Sequence, residues 1–510
     1  MFTENLKEKL LRVAGNMEVV EGHHHTTDGS SSMSGRSRNG SVKRRRTEEE
    51  ILKRMKAKPP KLISPGLRRR FIIRLAMALH SYGSSASRTE YLIDKVADKL
   101  DINANISVFP SLILLSFPGV DLNDPNQKEI HMINVEPDLD VDKLGRADEL
   151  ANGVGQEGAP LLLAYWRLKS IASAPPEFGK WWRLFGFALS ASMSSLLFFN
   201  GSLWDALFSF FLGLVVGLLD IVSSRSGLYA SVLEFTSALV VSFLARTFQV
   251  EFKSYDLCYF AMAISALVQL LPGLSLTLGV SEMVAKSHVT GTSRIMYALF
   301  SALQLGFGLA MGENLVVWAP KPVSGECISP SLPIYLKLVW FCGYTFASNV
   351  LLNARLDQWP GMAFASFVGY VVSEVTSLRL ASSASSVISA FAVGITGTAY
   401  SRFTGDLPLV MVLSGILLLV PGGIGVQGVT AMLGDDVLSG MGFVFDMVIV
   451  GLSITLGLLI AKIALPSALF GSTSRSNSSS KSTLPRDLEH DKPEDAITSS
   501  DSESEEDMAI

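Results

Sequence analysis

Between residues 184 and 465 the chain is a succession of apolar runs, most of them separated by only one or two charged side chains. The runs lie near 184–200, 203–222, 228–247, 256–272 and 293–316, then near 333–353, 359–377, 382–401, 407–424 and 441–465. Each holds about 17–25 residues, enough for a helix to cross a hydrocarbon core about 30 Å thick. Buried helices of a soluble protein would need amphipathic elements to cover them, and none intervenes. The runs are rich in Gly and Ser, as membrane helices that pack closely are. Trp181, Trp182, Trp204, Trp318 and Trp359 fall at run ends, where an interfacial aromatic belt would sit. The sequence therefore reads as a polytopic α-helical membrane protein with about ten transmembrane helices.

Charge is confined to the two ends. The net charge of −4 averages a basic N-terminal part against an acidic tail, so it points to no nucleic-acid partner. Residues 1–66 read as a disordered N-terminal region and residues 471–510 as a disordered, acidic, Ser-rich tail. The Lys43–Arg46 cluster fits solvated disorder better than a lipid or import patch. His23, His24 and His25 have no neighbouring Cys or His, so no metal is expected, and no motif asks for a cofactor. Cys258, Cys327 and Cys342 make no framework, and with two of them in apolar runs no structural disulfide is expected. Met1 to Val20 lacks a continuous apolar core, so the first span is expected to act as its own insertion signal.

Residues 67–178 read as a small soluble α+β domain. Helical spacing is visible over 71–80 and 87–100, and again over 139–152 and 158–173. Short β-rich runs at 106–109, 111–117 and 129–135 lie between them, parted by Pro110, Pro118-Gly119 and an Asn-Asp-Pro-Asn turn. Cations flank both ends of the span region (Arg167, Lys169, Lys180 and Arg183; Lys462 and Arg475), which predicts cytoplasmic termini and an even number of spans.

The span region also resembles itself. Leu270-Leu271-Pro272-Gly273 recurs as Leu419-Val420-Pro421-Gly422, and the same ungapped shift brings Gly279 onto Gly428, Gly291 onto Gly440 and Gly308 onto Gly457. Upstream, Asp220-Ile-Val-Ser-Ser-Arg225 resembles Glu374-Val-Thr-Ser-Leu-Arg379. Two halves, 181–318 and 331–466, would each hold five spans, and an odd number turns the second upside down relative to the first. The expected fold is thus two inverted five-helix repeats behind the α+β domain. Each Pro-Gly pair would break its span and free backbone polar groups, tolerated at membrane depth only against protein or a water-filled cavity.

The run His80-Ser-Tyr-Gly83-Ser-Ser-Ala-Ser-Arg88 and the helix after it, Pro110 with the strand that follows, and Leu139-Asp140-Val-Asp-Lys-Leu144 precede these paired breaks. In that order, across about residues 67–465, they resemble the threonine/serine exporter family, in the fungal branch often called pheromone-regulated membrane proteins. The resemblance implies a cytoplasmic N-terminal domain, a ten-span domain, and amino-acid export driven by the proton motive force. The lipid bilayer and a small-molecule substrate are then the expected partners. Oligomeric state, and plasma or vacuolar membrane, stay open.

Three carboxylates are candidates for coupling. Asp220 and Glu374 are repeat-related, each with a Ser three residues on (Ser223, Ser377) and an Arg five on; a coupling role and a salt bridge to that Arg fit them equally. Glu234 is expected well inside the third span, with Ser231 and Ser237 beside it. Pro272, Gly273, Pro421, Gly422, Ser223, Ser377 and Gln269 are candidates for the substrate path. Gly423-Ile-Gly425-Val-Gln-Gly428 has dinucleotide-loop spacing but follows a span rather than a strand, which argues against that use. His80, Ser84, Glu90 and Asp94 would suit a hydrolase, yet no nucleophile elbow or metalloprotease motif accompanies them, so no catalytic residue is expected. A membrane-anchored hydrolase or sensor, or a scaffold in fungal mating or cell fusion, is the alternative to a transporter of small polar metabolites.

Overall fold

In Leu112–Phe117 every second side chain is buried, with Ile113, Leu115 and Phe117 fully enclosed. That period of two makes the segment a strand with one face on a core. It is β2, the centre of an antiparallel sheet ordered β1 (Asn105–Val108), β2, β3 (Glu129–Asn134). The register pairs Ile106 with Leu115 and Ile113 with Ile133. A computed structural model of the protein describes residues 65–117, 129–135, 138–154, 161–317, 334–404, 407–419 and 437–465.

Four helices build the core with this sheet: α1 (Pro65–Ser81), α2 (Ala86–Lys99), α3 (Val141–Gly153) and α4 (Leu161–Ala172). Gly83 turns the chain between α1 and α2 at φ +91°, against Leu139 and the Asp138 carbonyl, where a side chain would be both strained and crowded. Asp140 caps α3 by accepting from the Lys143 amide.

From Lys180 onward every described element is helical, two short 3-10 turns included. The first set is α5 (Lys180–Phe198), α6 (Leu203–Ser223), α7 (Leu233–Glu251), α8 (Tyr259–Ala266), α9 (Gly273–Val284) and α10 (His288–Asn314). The second is α11 (Ile334–Leu351), α12 (Trp359–Ser377), α13 (Ser382–Thr404), α14 (Pro408–Leu419) and α15 (Val437–Ala464). Three segments, Leu203–Ser223, His288–Asn314 and Phe445–Ala464, are by length and composition long and apolar enough to cross a membrane. Of the other expected spans, α8 and α14 are short helices of 8 and 12 residues, and Ser dilutes longer ones such as α13, with its Ser382, Ser383, Ser385, Ser386 and Ser389.

Element boundaries recur at fixed shifts. α5 and α11 begin 154 residues apart, and α6 and α12 end 154 apart. α8 and α14, and likewise α10 and α15, begin 149 apart. Contacts recur as well. A Cβ on Gly308 of α10 would meet Phe235 O, Ala238 Cβ and Leu239 N of α7 at 2.6, 2.7 and 3.1 Å. Gly457 of α15 meets Val387 O, Ala390 Cβ and Phe391 N of α13 in the same pattern. Ser265 donates to Ser209 at 2.9 Å between α8 and α6, and Ser366 to Ser414 at 2.9 Å between α12 and α14.

The helices touch the N-terminal α+β part closely. Leu352, Ala354, Met362, Val410 and Met411 join its apolar core. The Val141 amide donates to Leu352 O at 3.2 Å, Asn353 donates to Asp140 at 3.0 Å, and Thr290 donates to Val108 O at 3.2 Å.

Candidate functional site

The fourth apolar run does not end at Pro272, as its composition suggests. It breaks there and continues. α8 stops at Ala266, a tight turn follows in which Val268 N donates to Ser265 O, and α9 starts at Gly273 with Pro272 as its N-cap. Proline cannot donate into a preceding turn, so the helix must be remade beyond it. The Ser265 carbonyl, at the end of α8, also accepts from Ser194 of α5 at 3.4 Å. Gln269 lies half-buried in the break. Pro421 and Gly422 lie outside the described residues.

Asp220 and Glu374 do not pair with Arg225 and Arg379, the arginines five residues on. Arg183 of α5 reaches Asp220 at 3.0 Å, and Lys337 of α11 lies 3.8 Å from Glu374. An arginine five residues along a helix points away from its acid, whereas the neighbouring helix start faces it. The two cations are themselves 154 residues apart, as the two acids are. Ser223 and Ser377 donate to Asp220 O and Glu374 O, both at 2.9 Å. Glu374 also lines a cavity of about 120 Å³ with Ser373, Ser377, Tyr370, Leu197, Phe198, Leu418 and Leu419. Lys337 is tied to this cavity through the Glu374 contact.

Glu234 is not deep in a span. It sits in the first turn of α7, after the one-turn helix Gly227–Ala230. Its expected partners differ too: Tyr297 and Ser301 of α10 donate to it at 3.1 and 3.4 Å. Ser231 instead bonds Gly227 O, and the buried Ser237 hydroxyl has no partner. The third apolar run includes a turn that hydropathy cannot distinguish from helix. Asp205 is buried and closes a capping box with Ser202 while accepting from the Cys258 amide at 2.8 Å.

The cysteine expectation is overturned, because Cys258 is disulfide-bonded while Cys342 is free. The chain's one other cysteine, Cys327, lies outside the described residues. Cys258 falls in the turn before α8 rather than inside a span, which is why counting it with the apolar runs misled.

The sequence reading passed over Glu282. Its side chain is 1% exposed, pairs with Arg294 at 3.2 Å and accepts the Ala86 amide of α2 at 3.2 Å. It falls between two apolar runs, and its clue was the small-residue Ser84–Ser87 stretch that lets α2 start against it. His80 bonds Pro110 O and Glu90 bonds the Val108 amide, so neither is held for hydrolysis. Burial, with the Arg294 charge adding to it, holds the His80 imidazole below its usual pKa despite the Pro110 bond. Among the described residues no group of three or more His, Cys, Asp or Glu side chains is placed to share a metal ion.

Closely packed apolar helices, a broken one among them, with charge pairs near helix ends and a small cavity beside one of those pairs, are the features of a multi-pass membrane protein. A threonine/serine exporter model (ThrE) matches residues 70–316, and a second model, threonine/serine exporter, ThrE, matches residues 337–464. The chain belongs to the threonine/serine exporter family. It is 29% identical over 373 residues to pheromone-regulated membrane protein 10 of Debaryomyces hansenii, covering 71% of this chain and 36% of that one. The protein of the same name from Saccharomyces cerevisiae is 28% identical over 364 residues, covering 71% and 47%. That from Candida glabrata is 26% identical over 420 residues, covering 78% and 53%. The chain thus spans between about a third and a half of the curated relatives it matches. No solved structure matches it.

Proposed function

We propose that this chain is a secondary transporter exporting small hydroxylated amino acids such as threonine and serine, driven by proton movement. In this reading residues 67–178 form a cytoplasmic α+β domain. Residues 181–318 and 331–466 are two five-span halves of opposite orientation, and both termini are cytoplasmic. The observation that carries the reading is one charge pair made twice, Arg183–Asp220 and Lys337–Glu374, each joining the start of a first helix to the end of a second. In halves of opposite orientation the two pairs lie at opposite faces of the bilayer, as a gate made in duplicate requires.

The cavity beside Glu374 is the outer vestibule. Its carboxylate suits a substrate ammonium and Lys337 suits the carboxylate, so a zwitterion exchanges the existing ion pair for two. At the related place in the first half, Leu351 packs in a cluster with Phe187, Leu270 and Leu271. Asp220, Glu374 and Glu234 are the carboxylates through which a proton gradient would act. Proteoliposomes loaded with labelled threonine, serine or leucine test this, with and without an imposed pH gradient. Threonine and serine efflux that quickens with the gradient is expected. Efflux of no amino acid, or efflux indifferent to the gradient, would overturn the reading or its coupling respectively.

A further inference from the structure

Lys337, Phe341, Thr345 and Ser348 follow one another at spacings of four and three along α11 and so share one helix face, with Leu352 four residues further on, just past the helix end. Lys337 is tied to the cavity through Glu374. Phe341 packs with Leu197, Phe198, Tyr344, Tyr370 and Leu418, four of which also line the cavity, so this cluster is its floor. Leu352, at the far end, belongs to the core shared with the α+β part. Thr345 and Ser348 lie between floor and far end, with Asn349 one turn beyond Thr345.

All three are buried, with 4%, 2% and 1% of the residue exposed. Thr345 Oγ1, Ser348 Oγ and Asn349 Oδ1 have no hydrogen-bond partner. Several other buried hydroxyls in these helices bond back along their own helix, as Ser190 does to Phe187 O, Ser389 to Ser385 O and Thr455 to Gly451 O, while Ser195 and Ser237 stand singly without a partner. Back-bonding is the ordinary way for a helical Ser or Thr to satisfy itself. Three unsatisfied groups within five residues are therefore costly, and such groups ask for a partner.

The first half shows what is missing. Ser194 stands 154 residues before Ser348 and bonds Ser265 O across to α8. Ser414 stands 149 residues after Ser265, yet Ser348 makes no such bond to α14. The junction that is closed in the first half is unmade in the second.

We infer that Thr345, Ser348 and Asn349 form the occluded binding site for a small zwitterionic amino acid, beneath the Phe341 floor. This rests on the transporter reading above and adds the site to it. Asn349 Oδ1 accepts from the substrate ammonium, and the Thr345 and Ser348 hydroxyls donate to its carboxylate. No charged side chain is involved, so the substrate keeps both its charges and passes on when Phe341 moves. The buried trio is selective by hydrogen-bond count: a hydroxylated side chain adds one more polar group to a polar slot, and a leucine side chain adds none.

The test uses the full-length protein in proteoliposomes with labelled threonine. Thr345→Val and Ser348→Ala remove one hydroxyl each at nearly constant shape. Each is expected to raise KM for threonine about tenfold, the worth of one hydrogen bond to a charged group, with abundance and melting temperature unchanged or improved. A second readout does not need flux. Ser348→Cys in a Cys342→Ser background should react with a small methanethiosulfonate reagent, and threonine but not leucine should protect it. Unchanged KM in both variants together with labelling that threonine does not slow would overturn the site while leaving export intact. A wild-type protein that moves no amino acid, with Ser348→Cys still protected by threonine, would overturn the transport reading and leave the binding site standing.

Discussion

Glu282 of α9 caps α2 of the N-terminal domain from 196 residues away, accepting the Ala86 amide while its other oxygen holds Arg294. Ala86 heads α2, and its amide is one of those a helix start leaves without a helical partner. A carboxylate there meets both an unpaired donor and the positive end of the helix dipole. Glu282→Leu removes the cap and leaves Arg294 unpaired; a loss of about 3–5 kcal/mol is the usual result of halving a buried pair. Glu282→Gln keeps an acceptor for Ala86 and should lose much less. Thermal melting in detergent with limited trypsin digestion checks this: Glu282→Leu should expose the Arg88 and Lys95 sites of α2 first. Equal melting of the two variants would mean that the cap does not hold the domain.

His80 makes the same junction sensitive to acid. Its Nε2–H donates to Pro110 O at 3.1 Å, which leaves Nδ1 buried without a partner. Burial, then the Arg294 charge, lowers its pKa from the ordinary 6.5. The unfolded chain therefore takes up a proton below pH 6.5 that the folded chain refuses. The sign follows: stability is full above 6.5 and is lost as pH falls toward the lowered folded value. Melting temperature should drop between pH 6.5 and 5 in the wild type, and His80→Gln should flatten that slope. A slope unchanged in His80→Gln assigns the acid sensitivity to other groups.

Gly308 and Gly457 let α10 and α15 approach α7 and α13 to backbone distance. A methyl at either place would press on main-chain atoms that cannot turn aside. Gly308→Leu and Gly457→Leu should each destabilise by about 1–3 kcal/mol, as overpacking does. Similar losses are expected because the two surroundings match atom for atom. A variant folding as well as wild type, measured by size-exclusion profile and melting, would remove the close packing.

Much of this architecture was legible from residue order. The alternation in 112–117, the Gly83 turn and the Pro272-Gly273 break are local signals, and each falls where the sequence puts it. The repeat was legible from Pro-Gly and acid-x-x-Ser-x-Arg, but its strongest mark, the Arg183 and Lys337 partners, was not. Arg183 reads in the sequence only as a topological flank and Lys337 carries no signal at all, because a pair across two helices needs their relative placement. Glu234 was put too deep because apolar content runs through the turn before α7. Glu282, Thr345 and Ser348 carry no motif at all; what marks them is burial and the presence or absence of a partner.

Cys258 gives the proposed topology a chemical test. Disulfides persist in oxidising compartments and are rare in the cytosol. The turn before α8 follows a third span, so cytoplasmic termini put it on the non-cytoplasmic side, together with the loop holding Cys327. Denatured protein alkylated without reduction should carry one label, on Cys342, and after reduction three, counted by mass. Cys258→Ser should cost about 2–4 kcal/mol. Three labels before reduction, in protein isolated under thiol-blocking conditions, would put that turn in the cytosol and reverse the topology.

The twin pairs make the sharpest prediction, because halves of opposite orientation, as proposed, would act on opposite faces. Arg183–Asp220 and Lys337–Glu374 are partly exposed, so breaking either should change stability by about 1 kcal/mol or less. Their effect on transport should be larger and sided. Glu374 lines the cavity, and on the proposed reading Glu374→Gln removes the charge that would meet a substrate ammonium there. Losing one charge-assisted hydrogen bond should raise KM about tenfold for threonine offered from that face, with little change from the other. Asp220→Asn should do the reverse, since its pair belongs to the half pointing the other way. Proteoliposomes sorted by orientation, with KM measured for entry from each side, separate the two. Both variants raising KM on the same face would mean that the halves are parallel, and the duplicated gate would go with them.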